Sequence, residues 1–425
     1  MTSTATSPVE SKVVRKLMWR LLPFLFVLYI IAYLDRTNVS FAFLQMRNQL
    51  ALNDRAYGLG AGVFFAGYFL FQLPSNLILA RVGARRWIAG IMMLWGLVSA
   101  AMIFATGPRS FYLLRFLLGA AEAGFFPGMI LYLKNWFPAS ARGRAVALFM
   151  TAAPLSGVIG GPISGALLGV HWSGLSGWQW LFLIEGIPAV VFGGVVMLVL
   201  SERPESATWL ADEERLLLAG ILAAERQAAS TSPNLKTAFT HPGVWILCSV
   251  YFGLTCCVYG ITLWLPSVIR SLSGFSNFTI GVLTALPNLV AAVAMVLIAL
   301  HSDRSGERRW HTAIAAFAAT TGLVTMAYSH STLLVLLGTS LAIAGAYGMD
   351  GPFWAMPASL LTGTAAAAGI AVINSVGNLG GFFGPYIIGL ARTADAGFRG
   401  GMLLIAAILA VSGSLALAVR IRKAE

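Results

Sequence analysis

The chain has 425 residues, of which 58% are hydrophobic and only 10% charged, with a mean hydropathy of +0.80. A soluble globular protein carries about 25% charged residues, so there is too little polar material here to cover a water-facing surface, and a polytopic helical membrane protein is the natural class. The formal net charge of +12 raises nucleic acid as a partner, but the distribution of the basic residues argues against it.

Ser3 to Arg20 is polar and basic, and the apolar run that follows continues to about Phe43 with no small-residue cleavage site. It reads as a tail followed by a first span rather than a cleaved signal. A hydrocarbon core of about 30 Å needs about 20 helical residues. Segments of that kind fall near 21–43, 57–80, 87–106, 111–134, 143–169, 178–200, 243–269, 278–300, 310–329, 332–356, 363–391 and 398–419. The predicted fold is therefore all-α, with twelve transmembrane helices. With the N-terminus placed inside, twenty of the 28 basic residues lie in inside loops or tails and six outside. That asymmetry places both termini in the cytoplasm and makes the basic excess a topology signal. The remaining two, Arg36 and Arg115, fall within spans.

One long polar segment, Ser201 to His241, divides the chain, and Ala211 to Gln227 within it reads as an amphipathic surface helix. The expected organisation is a tail at 1–20, a six-helix bundle at 21–200, a central cytoplasmic loop at 201–242, a second bundle at 243–419 and a tail at 420–425. The halves repeat. "ARVGARRW" after span two and "DRSGERRW" after span eight align at a shift of 223: Arg81 with Arg304, Gly83 with Gly306, Arg85 and Arg86 with Arg308 and Arg309, Trp87 with Trp310. Four glycines of spans five and eleven also align, at a shift of 220. Two related halves imply a pseudo-two-fold axis along the membrane normal and a substrate site between them near the midplane.

Charges inside the membrane are expensive, at roughly 2.5–3.5 kcal/mol each on insertion scales, and so point to function. Arg115 and Glu122 lie seven residues apart, within about 20° of one helical face and about 10 Å apart along it. Span one adds Asp35 and Arg36, with Asn38 one turn beyond Asp35 and Tyr29, Tyr33 and Arg36 on one stripe. These four charges sum to zero, so they can be buried together. The guanidinium fork fits a carboxylate, and a carboxyl group between burial and a guanidinium is suited to carry a proton. Glu185, with no visible partner and Pro188 nearby, reads as structural. The five histidines fall at loops or span ends, unpaired with cysteine or acid at ligand spacing, and no nucleotide-binding glycine loop occurs. Neither an enzyme, nor a metal site, nor an ATP-driven pump is expected. The three cysteines, all in span seven, have neither disulfide nor zinc spacing.

The repeated loops resemble the signature Gly-x-x-x-Asp-Arg-x-Gly-Arg-Arg of the major facilitator superfamily. The second copy keeps Asp303, Arg304, Gly306, Arg308 and Arg309; the first keeps Arg81, Gly83, Arg85 and Arg86 but has Ala80 for the acid. "YLDRTNVSFA", "LLRFLLGAAEAGFFPG", "WLFLIEGIP", "YGITLWLP", "SDRSGERRWH" and "GPFWAMP" are similar to the anion:cation symporter branch, bacterial permeases for phthalate, tartrate, nicotinate, hydroxyphenylacetate and sugar acids. The resemblance implies alternating access in a bacterial inner membrane, with a proton as coupling ion and no other cofactor. It implies proton carriers at Asp35 and Glu122, anion contacts at Arg36 and Arg115, cavity roles for Tyr33, Tyr68, Trp354 and Asn374, and a gating role for the repeated loops. Asp350, in "YGMDGPFW", lies outside that pattern; facing the cavity, it would accept a hydroxyl or a cationic nitrogen, or repel a second carboxylate. Phe125, Phe126, Phe353 and Trp354 add rings that lean the expected substrate toward an aromatic carboxylate. A tartrate or sugar-acid symporter and an anion exchanger are the alternatives, and a non-transporting receptor or channel is the different class. The expected partners are a small organic anion, a proton and the bilayer, with no nucleic acid, and the chain is expected to be a monomer.

Overall fold

The computed structural model describes residues 8–228, 239–360, 363–395 and 397–419. Lys236, Arg420, Arg422 and Lys423, counted above for orientation, lie outside the described residues, as do 1–7, 229–238, 361–362, 396 and 420–425 as a whole. Among the described residues the structure is helical, without strands. Ten helices are long and apolar enough to cross a membrane: Val9–Gln49, Asp54–Val82, Ala84–Phe104, Pro108–Trp136, Ala139–Leu167, Gly177–Val199, Pro242–Leu272, Asn277–Ser305, Thr332–Ala355 and Arg399–Ala418. The other two predicted spans are present in weaker form. Span nine is Arg309–Tyr328, whose apolar character is diluted by His311 and four threonines. Span eleven is two helices, Gly363–Asn378 and Gly380–Asp395. The stretch read as an N-terminal tail is helical from Pro8, and the surface helix runs over Asp212–Ala228.

Interruption is the feature that the hydropathy pattern does not reveal. Span one divides at Asn38 into Pro8–Thr37 and Val39–Gln49. Span four divides after Glu122 into Pro108–Glu122 and Phe125–Trp136. Span five divides at Thr151 and span eleven at Leu379. Broken helices are tolerated at membrane depth where they are buried in protein or line a cavity, and here the membrane charges sit beside two of the breaks.

Twelve spans return both described chain ends to one face, the terminal face. The halves meet most tightly toward the other side. A Cβ built on Gly161 of span five would lie 2.5 Å from the Gly281 carbonyl oxygen of span eight, so a glycine is required for that approach. Span two packs mainly against Gly380–Asp395 rather than the earlier part of span eleven. Tyr57 donates to the Leu263 carbonyl at 2.5 Å, Trp264 to the Pro385 carbonyl at 3.0 Å, and Arg392 pairs with Asp54 at 3.0 Å. These contacts close the face opposite the termini.

The repeated loops lie at the terminal face. Each sends one arginine to the carbonyl end of the last span of its own half: Arg85 to Met197, and Arg309 to Leu417 and Val419. A cation there complements the helix dipole. In the second loop Arg308 binds Asp303 at 2.6 Å, and the Glu307 carboxylate accepts the amides of Arg309, Trp310 and His311 that open span nine. In the first loop Gly83 has φ +89°, and the Glu202 carboxylate stands where its Cβ would be. An acid thus reaches the copy that lacks one in sequence, from the loop after span six. The histidines are not all unpaired, as expected from spacing: His301 and His311 are hydrogen-bonded at 2.6 Å, and His311 reaches Glu307 at 3.3 Å. The first pair is ten residues apart in sequence and the second four, one helical turn.

Candidate anion site between the halves

Between the halves lies a cavity of about 50 Å³, room for a few waters. Tyr29, Tyr33 and Arg36 of span one reach it, as their shared stripe predicts, together with Tyr68 and Phe126 from the same half. The second half contributes Tyr251, Thr255 and Tyr259 of span seven, Tyr347 and Asp350 of span ten, and Asn374 and Asn378 of span eleven. A wider groove of about 750 Å³ lies at the terminal face beside Arg15, Trp19 and Arg144, but the charged residues of the membrane interior do not reach it.

Arg36 is the centre of the site. Its guanidinium donates to Glu122 Oε2 from two nitrogens, at 2.8 and 3.3 Å, and to the Tyr259 hydroxyl at 3.0 Å. The rings of Tyr33, Phe64 and Tyr68 surround it at 5.2 to 5.4 Å, within cation–π range. Both partners of the ion pair are buried, so the pair is shielded from water and from salt. The break in span four places Glu122 at a helix end, facing span one.

Arg115 and Asp35 are deeper in the protein. Arg115 does not snorkel to the surface; it is fully buried, lies over the Phe64 ring at 4.8 Å, and has no hydrogen-bond partner on any guanidinium nitrogen among the described residues. Asp35 is also fully buried and is turned toward span three, where its Oδ1 accepts from Ser99 and, at 3.2 Å, from Asn38. Neither lines the cavity. Trp354 and Phe353 form a second layer, edge-on and stacked against Tyr251, at 4.9 and 5.4 Å. Phe125 packs against Trp95. Asp350 is 8% exposed and faces the cavity among tyrosines. Asn374 accepts from Asn378 at 3.1 Å.

Tyr251, Tyr259, Tyr347 and Asn378 were not singled out from sequence. Tyr251, Thr255 and Tyr259 are spaced at four residues, one helical face, and Tyr347 stands one turn before Asp350; those spacings were the available signal. Glu185 is not partnerless, as the sequence reading has it: Ser164 donates to its Oε1 at 2.8 Å.

Residues 25–385 match the sequence profile of the Major Facilitator Superfamily. The chain belongs to that superfamily. It is 49% identical over 414 residues, covering 97% of this chain and 92% of the relative, to a protein of Agrobacterium vitis named "Putative tartrate transporter". It is 42% identical to a protein of Pseudomonas putida named "Putative metabolite transport protein NicT", over 95% of this chain and 93% of that one. A bacterial homologue of the lysosomal transporter Spinster, solved facing inward, superposes with a TM-score of 0.75 at 16% identity, covering 94% of this chain and 96% of that one. At that identity the likeness concerns the fold alone. As a member of this superfamily, the chain is a multi-pass membrane transporter and not an enzyme.

Proposed function

We propose that this transporter is a proton-coupled symporter that carries a hydroxylated dicarboxylate of the tartrate kind into a bacterial cell across the inner membrane, acting as a single chain with both termini in the cytoplasm. The observation that carries the reading is the Arg36–Glu122 pair at the cavity, with the Tyr259 hydroxyl on the same guanidinium. A proton on Glu122 weakens its hold, and a substrate carboxylate takes the freed face of Arg36. A substrate carboxylate then neutralises Arg36 in place of Glu122, and the filled site can be closed over. Coupling requires that substrate and proton together stabilise the occluded form more than either open one. Asp35 is the second proton carrier and Arg115 the second anion contact, reached in a different arrangement of the halves.

The hydroxyls and amides of Tyr259, Tyr347, Asn374 and Asn378 suit a substrate with hydroxyl groups of its own, and Asp350 can accept one of them. The name of the Agrobacterium vitis relative supports the same choice. A flat aromatic carboxylate is the second reading, favoured by the rings of Tyr33 and Tyr68 around Arg36.

The test is uptake of labelled tartrate, phthalate and a sugar acid into proteoliposomes with the outside acid. Accumulation of tartrate above equilibrium, abolished when the gradient is dissipated, is expected. Arg36→Lys should weaken it about ten- to hundredfold, from the loss of about 1.5–3 kcal/mol of charge-assisted hydrogen bonding. Accumulation of phthalate alone would transfer the assignment to the aromatic class. Equilibration that ignores the gradient would remove the proton from the mechanism.

A further inference from the structure

Besides Asp35 and Glu122, the first half contains a third buried acid in its spans. Glu185 of span six is 4% exposed and Asp35 of span one 0%. Spans three and six touch through Gly96 and Gly186, where a Cβ on Gly186 would stand 3.2 Å from that of Ser99. Ser99 is the residue that donates to Asp35, so this contact delivers Glu185 beside Asp35. Asn38, 1% exposed at the break in span one, donates to Asp35 and lies beside Glu185 as well. The result is an excess of acceptors. Asp35 Oδ2, Asn38 Oδ1 and Glu185 Oε2 are all buried without a hydrogen-bond donor. Buried acceptors left unpaired are costly, and one proton on either carboxyl converts an acceptor into the donor that the cluster lacks.

The cluster has its own approach. Ser164, the donor to Glu185, also lines a small void of about 30 Å³ between the halves, with Thr37, Ser40, Thr262, Thr284 and Asn288. This void sets those hydroxyls and the Asn288 amide among glycines and apolar side chains; it is separate from the tyrosine cavity and lies among the contacts that close the face opposite the termini. On its other side the cluster faces the anion site: Asp35 is faced by Glu122 and Arg115 there and by Glu185 within the cluster.

We propose that Asp35 and Glu185, joined by Asn38, form a buried site that holds the transported proton and is loaded through the hydroxyl-lined void. This rests on the reading of the chain as a proton-coupled carrier. The proton is taken up on Glu185 Oε2, passes to Asp35, and leaves through Glu122 when Arg36 exchanges its partner. Glu185 is a coupling residue and touches no substrate. A purely structural glutamate would be served equally by glutamine, which keeps the acceptor for Ser164.

Infrared difference spectroscopy of the purified full-length protein across a pH titration tests this without a substrate. Asp35→Asn and Glu185→Gln should each remove or shift the same protonated-carboxyl band, and Glu122→Gln a different one. A Glu185→Gln spectrum identical to wild type overturns the proposal. If Glu185→Gln does not fold, Ser164→Ala should shift that band, and an unshifted band overturns it equally. In proteoliposomes, Glu185→Gln should lower gradient-driven tartrate accumulation by roughly tenfold and leave tartrate counterflow at equal pH in place. Tartrate accumulation at the wild-type level, or uptake driven by a sodium gradient in place of the proton gradient, overturns it. Should the wild type not accumulate tartrate at all, the preceding reading falls and the infrared result alone decides this one.

Discussion

Tyr259 shows how much a single hydroxyl can contribute to a charged site. It donates nothing to Arg36; it accepts from it, and so competes with the substrate for the same guanidinium while holding that guanidinium in position. Positioning dominates if the second half is to sense what the first half binds, because this hydrogen bond joins spans one and seven. Tyr259→Phe keeps the ring and removes the acceptor. Its expected effect is a rise in the tartrate KM of roughly tenfold, the equivalent of about 1.4 kcal/mol, with the ring packing against Phe65 retained. Equal KM values in the two proteins would show that the hydroxyl is a bystander. The residues of span one were legible in the sequence because charge in an apolar helix stands out. Tyr259 and Tyr347 were not, because a tyrosine in a membrane helix is ordinary unless its partner is known, and Arg36, the partner of Tyr259, is 223 residues away. The partner of Glu185 was hidden for the same reason: Ser164 and Asn38 come to it only through the packing of spans one, five and six.

Among the elements, the surface helix Asp212–Ala228 is tied to the membrane domain at two points. Glu214 binds Lys16 of span one at 2.7 Å, and Glu225 binds Arg142 at the start of span five at 2.6 Å. The Lys16 ammonium holds the Glu214 carboxyl below its ordinary range. A carboxyl depressed in the folded state stabilises docking at pH values above its free value, about 4.3 for glutamate, and this contribution is lost as the pH falls through the lower folded value. Hydrogen exchange over 212–228 should therefore quicken at acid pH in wild type, and Lys16→Met should quicken it already at neutral pH. Unchanged exchange in Lys16→Met would assign the docking to the apolar face of the helix, where Leu218 and Leu222 are buried. The existence of this helix and its bounds were readable from its charge pattern. The breaks in spans one, four, five and eleven were not, since hydropathy averages over a window and is indifferent to one or two residues that leave the helix.

At the scale of the whole molecule, the closed face depends on contacts that cross between halves, and Asp54–Arg392 is the charged one. Its side chains are only 12 and 15% exposed. Asp54→Asn should shift the population toward forms open at that face by roughly fivefold, for a pair worth about 1 kcal/mol. Spin labels on Thr106→Cys and Gly274→Cys, read by their distance distribution, would measure it, and the buried Cys248, Cys256 and Cys257 need not be removed first. An unchanged distribution would mean that the glycine contacts of spans five and eight hold the face closed alone. The two-half organisation was legible from the repeated Arg-x-Gly-x-Arg-Arg-Trp loops, whereas the side on which the halves touch was not, because a repeat fixes symmetry and not the tilt between its copies.

The Arg36–Glu122 pair has a consequence for energy conservation on the proposed coupling. In the empty carrier Glu122 acts as a built-in surrogate for the substrate, neutralising the guanidinium so that the unloaded protein can reset. A carrier that has bound a proton on Glu122 but no anion loses that surrogate and leaves Arg36 as a bare charge in a closed, poorly hydrated space, which opposes the crossing. The same ion pair that makes room for the cargo therefore also guards against slippage, the futile return of protons that would drain the membrane gradient without moving any substrate.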